Sequence, residues 1–195
     1  MSHPAAPVPQ YFFPKAYADF VQRLRVPCGF LLLGAFAWLS NPSMHSMLIG
    51  LPISFAGLGL RAWAGGHLAK DRQLATSGPY SYIRNPLYLG TLIAASGIVI
   101  ACRSAGLAAL FFIVFVTVYL PAVELEEQHL REIFPDYDEY AARVNRFLPF
   151  RRWDRTRHRF SWVLYRKNEE YKALFGFLIA VAWLLWKCWL SSTVT

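Results

Sequence analysis

The chain has 195 residues, 55% hydrophobic and 16% charged, with positive mean hydropathy and a formal net charge of +8. Soluble domains carry about 25% charge, so an integral membrane protein is the economical reading. The basic residues flank apolar runs, which points their charge at lipid headgroups and topology and not at nucleic acid.

Residues 1–14 are proline-rich and expected to be irregular, without the charged start and cleavage pattern of a signal peptide. Residues 15–25 place Tyr17, Phe20, Val21 and Leu24 on one helical face, which predicts a short helix lying in the membrane interface. A first, short span follows over residues 26–39, ended by Asn41-Pro42-Ser43. The second span, residues 44–63, is rich in glycine (Gly50, Gly57, Gly59), which lets membrane helices approach closely. The run from Gly57 to Ala62 fits a dinucleotide-binding pattern, but no strand precedes it and that reading is set aside.

A polar loop over residues 70–84 leads to the third span, 86–102. Arg103-Ser104 makes a tight turn into the fourth span, 105–123. From Glu124 the sequence is charged yet keeps Leu125, Leu130, Ile133 and Phe134 at helical spacing. That predicts a helix extending the fourth span into water, a break at Pro135, and a second helix ending at Pro149. Residues 151–172 are strongly basic with interleaved Trp153, Phe160, Trp162, Tyr165 and Tyr171, an interfacial composition, and the fifth span covers 174–190. The layout is all-α and polytopic: an N-terminal segment (1–25), a core of four spans plus cytoplasmic helices (26–150), and a basic segment with the fifth span (151–195). Lys and Arg gather on one side of it, which places the N-terminus and the polar loops in the cytoplasm.

Cys28, Cys102 and Cys188 show no paired spacing and read as buried thiols. Chemistry concentrates in SGPYSYIRNPLYLG, residues 77–90. Gly78 and Pro79 supply turn geometry, Tyr80, Tyr82 and Tyr88 are amphipathic, and Pro86 suits the first position of a helix. Arg84 and the pair Glu126-Glu127 flank spans on the same side, where each is costly unless paired or functional. Arg84 can grip a carboxylate or phosphate, and the glutamates can hold an ammonium or ribose hydroxyls. The alternative is an Arg84–Glu126 salt bridge that only locks two helices. Glu126 and His129 form half of a di-iron motif, but one copy does not make a metal site and none is expected. His67, at a helix end, reads as structural. The residues alone lead to a small membrane enzyme or binder with a polar pocket on the cytoplasmic side.

LATSGPYSYIRNPLYLG, then EEQHLREIF, then YDEYAARVNRFLPF, resembles the isoprenylcysteine carboxyl methyltransferases and, more distantly, the phospholipid methyltransferases of membranes. The resemblance covers about residues 55–150. It implies an S-adenosyl-L-methionine-dependent methyltransferase without a Rossmann fold, acting on a lipophilic or membrane-delivered small molecule among the membrane lipids. Carried over by position, it assigns Lys70, Gln73, Leu74, Ala75, Tyr80, Asn85, Pro86, Leu87, Tyr88, Glu126 and Glu127 to the cofactor. Arg84 falls near the reacting group and Arg143 on a family arginine shortly before the final proline, and the resemblance assigns both to catalysis. Asn85 stands where the family usually has His, and Ala122 where the carboxyl methyltransferases have a substrate-holding arginine. Two other classes are weighed against this reading: an NADPH-dependent reductase of sterol-like lipids, and a non-enzymatic membrane assembly protein.

Overall fold

In a computed structural model, residues 13–149 and 159–193 are described. They form eight α-helices: α1 Lys15–Leu39, α2 Met44–Gly65, α3 Pro86–Cys102, α4 Ala105–Val114, α5 Leu120–Ile133, α6 Tyr137–Arg143, α7 Trp162–Lys167 and α8 Tyr171–Thr193. A 3₁₀ turn spans Gly78–Ser81, and a π turn over Phe115–Tyr119 joins α4 to α5. No strand forms among the described residues; an isolated bridge pairs Ile83 with Asn145. Three helical stretches are long and apolar enough to cross a membrane: Met44–Gly65, the continuous Ala105–Ile133, and Tyr171–Thr193. Two further apolar stretches, Val26–Leu39 and Pro86–Cys102, are shorter.

The α2–α3 pair is the rigid centre. A Cβ on Gly57 would run into the backbone of Gly90 and Ala94, and one on Gly97 into Gly50 and Ser54. At this approach hydroxyls reach the facing backbone: Ser54 Oγ donates to Ala94 O at 2.7 Å and Ser46 Oγ to Ala101 O at 2.8 Å. Ser43 and Ser46 form a reciprocal capping box that starts α2. Pro86 occupies the first turn of α3, as expected. Arg103 adopts a left-handed conformation (φ 51°) that ends α3, and Ser104 Oγ accepts from Leu107 N to start α4.

The N-terminal region differs from the expectation. No interfacial helix separates from the first span, because α1 runs unbroken for 25 residues through Pro27. Of the expected interfacial face, Val21 is buried against Val114 and Val118 while Phe20 stays exposed. Pro121 has no N–H to give the carbonyl four residues earlier, Thr117 O. Tyr17 Oη donates to that carbonyl at 2.9 Å, so α1 repairs the defect that accompanies the π turn.

α5 stops at Ile133 because Pro135 disfavours helical geometry at Phe134, which is extended. α6 ends at Arg143, short of the expected Pro149, because the next residues pair with the loop before α3. Arg84 N donates to Asn145 O at 2.9 Å and Asn85 N to Arg146 O at 3.3 Å. α8 is longer than the expected 174–190, and Lys187 Nζ ties it to the end of α1 by donating to Ala37 O and Ser40 O, each at 2.9 Å. The irregular conformation expected for residues 1–12, and the interfacial reading of residues 150–158 with Trp153, lie outside the described residues.

Gly57→Val is expected to lower stability by about 1–3 kcal/mol through overpacking, whereas Gly59, with nothing within 4 Å of its Cβ position, tolerates Val to within about 0.5 kcal/mol. Thermal unfolding in detergent checks this; equal midpoints for the two variants would refute the close helix contact.

Candidate functional site

A cavity of about 490 Å³ opens where the loop after α2, the 3₁₀ turn, the start of α3 and the helix α5 converge. Its walls include Lys70, Gln73, Leu74, Ala75, Tyr80, Asn85, Pro86, Leu87, Tyr88 and Glu126, together with Arg84 and Ala122. Ten of the eleven positions carried over for the cofactor therefore face one space. Glu127 is the eleventh; it is 1% exposed and lies behind the wall. Arg143 is not among the lining residues and forms an exposed ion pair with Glu139 at 3.1 Å.

The two adjacent glutamates turn opposite ways, since successive helical residues point about 100° apart. Glu126 is exposed at the cavity, where Tyr88 Oη donates to its Oε2 at 2.8 Å. Glu127 points inward, accepts hydrogen bonds from Asn85 and Arg146, and forms an ion pair with Arg84. Asn85 Nδ2 reaches Oε1 at 2.7 Å, Arg146 Nη2 reaches Oε2 at 2.8 Å, and Arg84 Nε lies 3.3 Å from Oε1. The considered Arg84–Glu126 lock is thus formed with Glu127 instead. Burial works against the Arg146 charge, but its hydrogen bond to Glu127 and their attraction outweigh that and raise the guanidinium pKa. Arg84 is 13% exposed, and its Nη1 donates to Ala141 O at 3.4 Å.

Aromatic groups set the depth of the cavity. Tyr80 is 6% exposed, and Tyr140 Oη donates to its carbonyl at 2.7 Å. Burial raises the Tyr80 phenol pKa well above its ordinary value; Tyr140, Glu126 and Glu170 add to the rise and Arg61 opposes it. Burial likewise raises Tyr137 and Tyr140, so all three phenols are neutral at physiological pH. Gly78 carries φ +60°, and a Cβ there would lie 2.7 Å from the His67 ring. His67 is structural in this sense: its ring packs the turn, and its Nδ1 bonds Trp63 O at 2.9 Å. At the rim His129 Nε2 lies 3.6 Å from Asp71 Oδ1. Among the described residues no group of three or more His, Cys, Asp or Glu is placed to hold a metal ion.

Sequence reasoning missed Arg146, three residues beyond the arginine it selected and the one that reaches Glu127. It also missed Arg61, which sits inside an apolar span; an intramembrane charge is itself a signal.

Residues 46–137 match the phospholipid methyltransferase family. The chain is 30% identical over 114 residues to a nickel-cobalt-cadmium resistance protein of Alcaligenes xylosoxydans xylosoxydans, covering 57% of this chain and 52% of that protein. A cobalt-zinc-cadmium resistance protein of Cupriavidus metallidurans is 30% identical over 114 residues, covering 57% and 51%. The protein-S-isoprenylcysteine O-methyltransferase of Schizosaccharomyces pombe is 26% identical over 141 residues, covering 69% and 59%. The chain spans about half the length of the curated relatives it matches. No solved structure matches it. The family resemblance read from the sequence is borne out, and the matched segment contains every lining residue of the cavity except Tyr140.

Glu127→Ala leaves two guanidinium groups facing each other without their shared anion. The expected cost is about 3–5 kcal/mol, read as a large fall in the thermal midpoint. Glu126→Ala is expected to leave the midpoint nearly unchanged; equal losses in the two variants would show that the glutamates are not divided in this way.

Proposed function

We propose that this chain is an integral membrane methyltransferase that takes S-adenosyl-L-methionine in the 490 Å³ cavity and methylates a lipophilic or membrane-delivered acceptor on the cytoplasmic side. The observation that carries the reading is convergence. Residues assigned by resemblance from Lys70 to Glu126, on separate loops and helices, line one space. Its volume falls within the roughly 300–1,000 Å³ usual for small-molecule sites.

The donor set fits the cofactor's chemistry. The carboxylate of Glu126, steadied by Tyr88, can accept from an ammonium or from ribose hydroxyls. Leu74, Pro86, Leu87 and Leu125 supply apolar walls for a planar base. Bound there, a sulfonium donor supplies an electrophilic methyl carbon whose sulfur leaves neutral, so neither a metal nor a strong acid is required. The protein's work is positioning and exclusion of water. Tyr80, buried at 6% exposure, forms part of the wall. Asn85 cannot titrate, and its amide is fixed by Glu127, so it orients without exchanging protons. Arg84 lines the same cavity and can face an anionic acceptor, with one side of its guanidinium already neutralised by Glu127. Arg143 is left without a catalytic assignment. Ala122 brings no cation to its part of the wall, which leaves Arg84 and Lys70 as the basic residues lining the cavity.

Isothermal titration of the solubilised protein with S-adenosylhomocysteine tests this. The parent is expected to bind, and Glu126→Ala to lose roughly tenfold or more, the worth of a charge-assisted hydrogen bond. Absence of binding, or equal affinity in the variant, would defeat the reading. Stabilisation by NADPH in place of S-adenosylhomocysteine would favour the reductase.

A further inference from the structure

A second charged cluster lies where α2, α3 and the start of α8 meet. Arg61 Nη2 is 2.9 Å from Glu170 Oε2 and 3.2 Å from Oε1, and Arg61 Nη1 donates to Thr91 Oγ1. Both carboxylate oxygens therefore converge on one nitrogen. Arg61 Nε is buried and has no hydrogen-bond partner among the described residues. A guanidinium grips a carboxylate or phosphate best through two parallel N–H bonds, so this pairing leaves part of the fork unused. Burial raises the Glu170 carboxyl pKa, against the pull of Arg61, so the acid sits where its charge is disfavoured.

The surroundings are shaped for this pair. A Cβ on Gly90 would lie 2.7 Å from Arg61 Cγ, and one on Gly65 would press into the Glu170 side chain. Arg61 is 24% exposed and Glu170 7%, so an incoming group can reach the cation. Thr91 Oγ1, which accepts from Arg61 Nη1, donates in turn to Leu87 O, and Leu87 lines the cavity, so the pair lies just behind the cavity wall. Asn168 Nδ2 holds the local backbone independently, donating to Gly65 O and Leu68 O at 2.8 Å each. A rotamer change of Glu170 is then enough to free Arg61.

We propose that Arg61 anchors the anionic head of the methyl acceptor, a carboxylate or phosphate on an apolar tail, and that Glu170 occupies the anchor as an internal stand-in until the head displaces it. The role as acceptor site rests on the methyltransferase reading; anion binding at Arg61 is tested separately from it. Arg61 offers a cation distinct from Arg84, whose guanidinium is already paired with Glu127. Glu170 lies outside the family-matched segment, so the stand-in belongs to this chain's C-terminal part.

The test is titration of the full chain in phosphatidylcholine nanodiscs with octanoate, octyl phosphate and octanol. The parent is expected to bind at least one anion and not octanol, and the preferred anion tells a carboxylate head from a phosphate head. Glu170→Gln is expected to bind that anion roughly tenfold tighter, since no internal carboxylate competes. Glu170→Asp, too short to reach Arg61, should also tighten binding while keeping the global charge. Arg61→Lys keeps the charge but loses the fork and should bind roughly tenfold more weakly. Glu169→Gln matches the charge change of Glu170→Gln at an exposed residue paired with Lys172 and should leave affinity unchanged. Thermal midpoints establish that each variant is folded. Octanol binding as well as the anions, Arg61→Lys matching the parent, or Glu170→Gln matching Glu169→Gln would overturn the proposal and leave the pair a helix latch. Retained S-adenosylhomocysteine binding in those samples would mean that this inference alone has failed.

Discussion

Glu127 is a fully buried carboxylate near the boundary between membrane helices and polar loops, and a lone charge in that position is costly by several kcal/mol. The chain meets the cost by bringing Arg84 and Asn85 from the start of α3 and Arg146 from beyond α6 to the two oxygens. Several local features follow. The residues after Arg143 leave the helix because Asn145 O and Arg146 O are needed by Arg84 N and Asn85 N. Asn85 is drawn inward, which fixes the point where Pro86 starts the helix. Glu126, one position earlier on α5, is left to face the cavity. The glutamate pair is therefore one buried, ion-paired carboxylate and one that faces the cavity.

What could be read from the sequence was what depends on neighbouring residues. The start of α3 follows from Pro86, the break at Phe134 from Pro135, the tight turn from Arg103-Ser104, and the α2–α3 contact from glycines at helical spacing. The resemblance carried ten positions into one cavity because the motif residues keep their order and spacing. What could not be read depends on partners far along the chain. Periodicity does not say whether Val21 meets lipid or Val114, and so the continuous α1 was taken for two elements. Arg143 and Arg146 stand on either side of a helix end that spacing alone does not locate. The Arg61–Glu170 pair joins residues 109 positions apart and leaves no local signature.

The helices are held together by contacts of different kinds. α2 and α3 touch through glycines and hydroxyl–backbone bonds, a contact with no slack. Gly90 serves both purposes, since a Cβ there would meet Gly57 O at 2.8 Å and Arg61 Cγ at 2.7 Å. The contact that locks the two helices thus also sets how deep the Arg61 guanidinium lies. α8 is different: Leu184 is its buried residue among those described, and the helix is held near its two ends by Asn168 and Lys187. In the proposed methyltransferase, walls that do not move would help the cavity to orient a reacting methyl group. With α3 and α5 lining the cavity and Glu170, just before α8, reaching Arg61 on α2, the Arg61–Glu170 pair is where the close-packed centre meets the C-terminal helix.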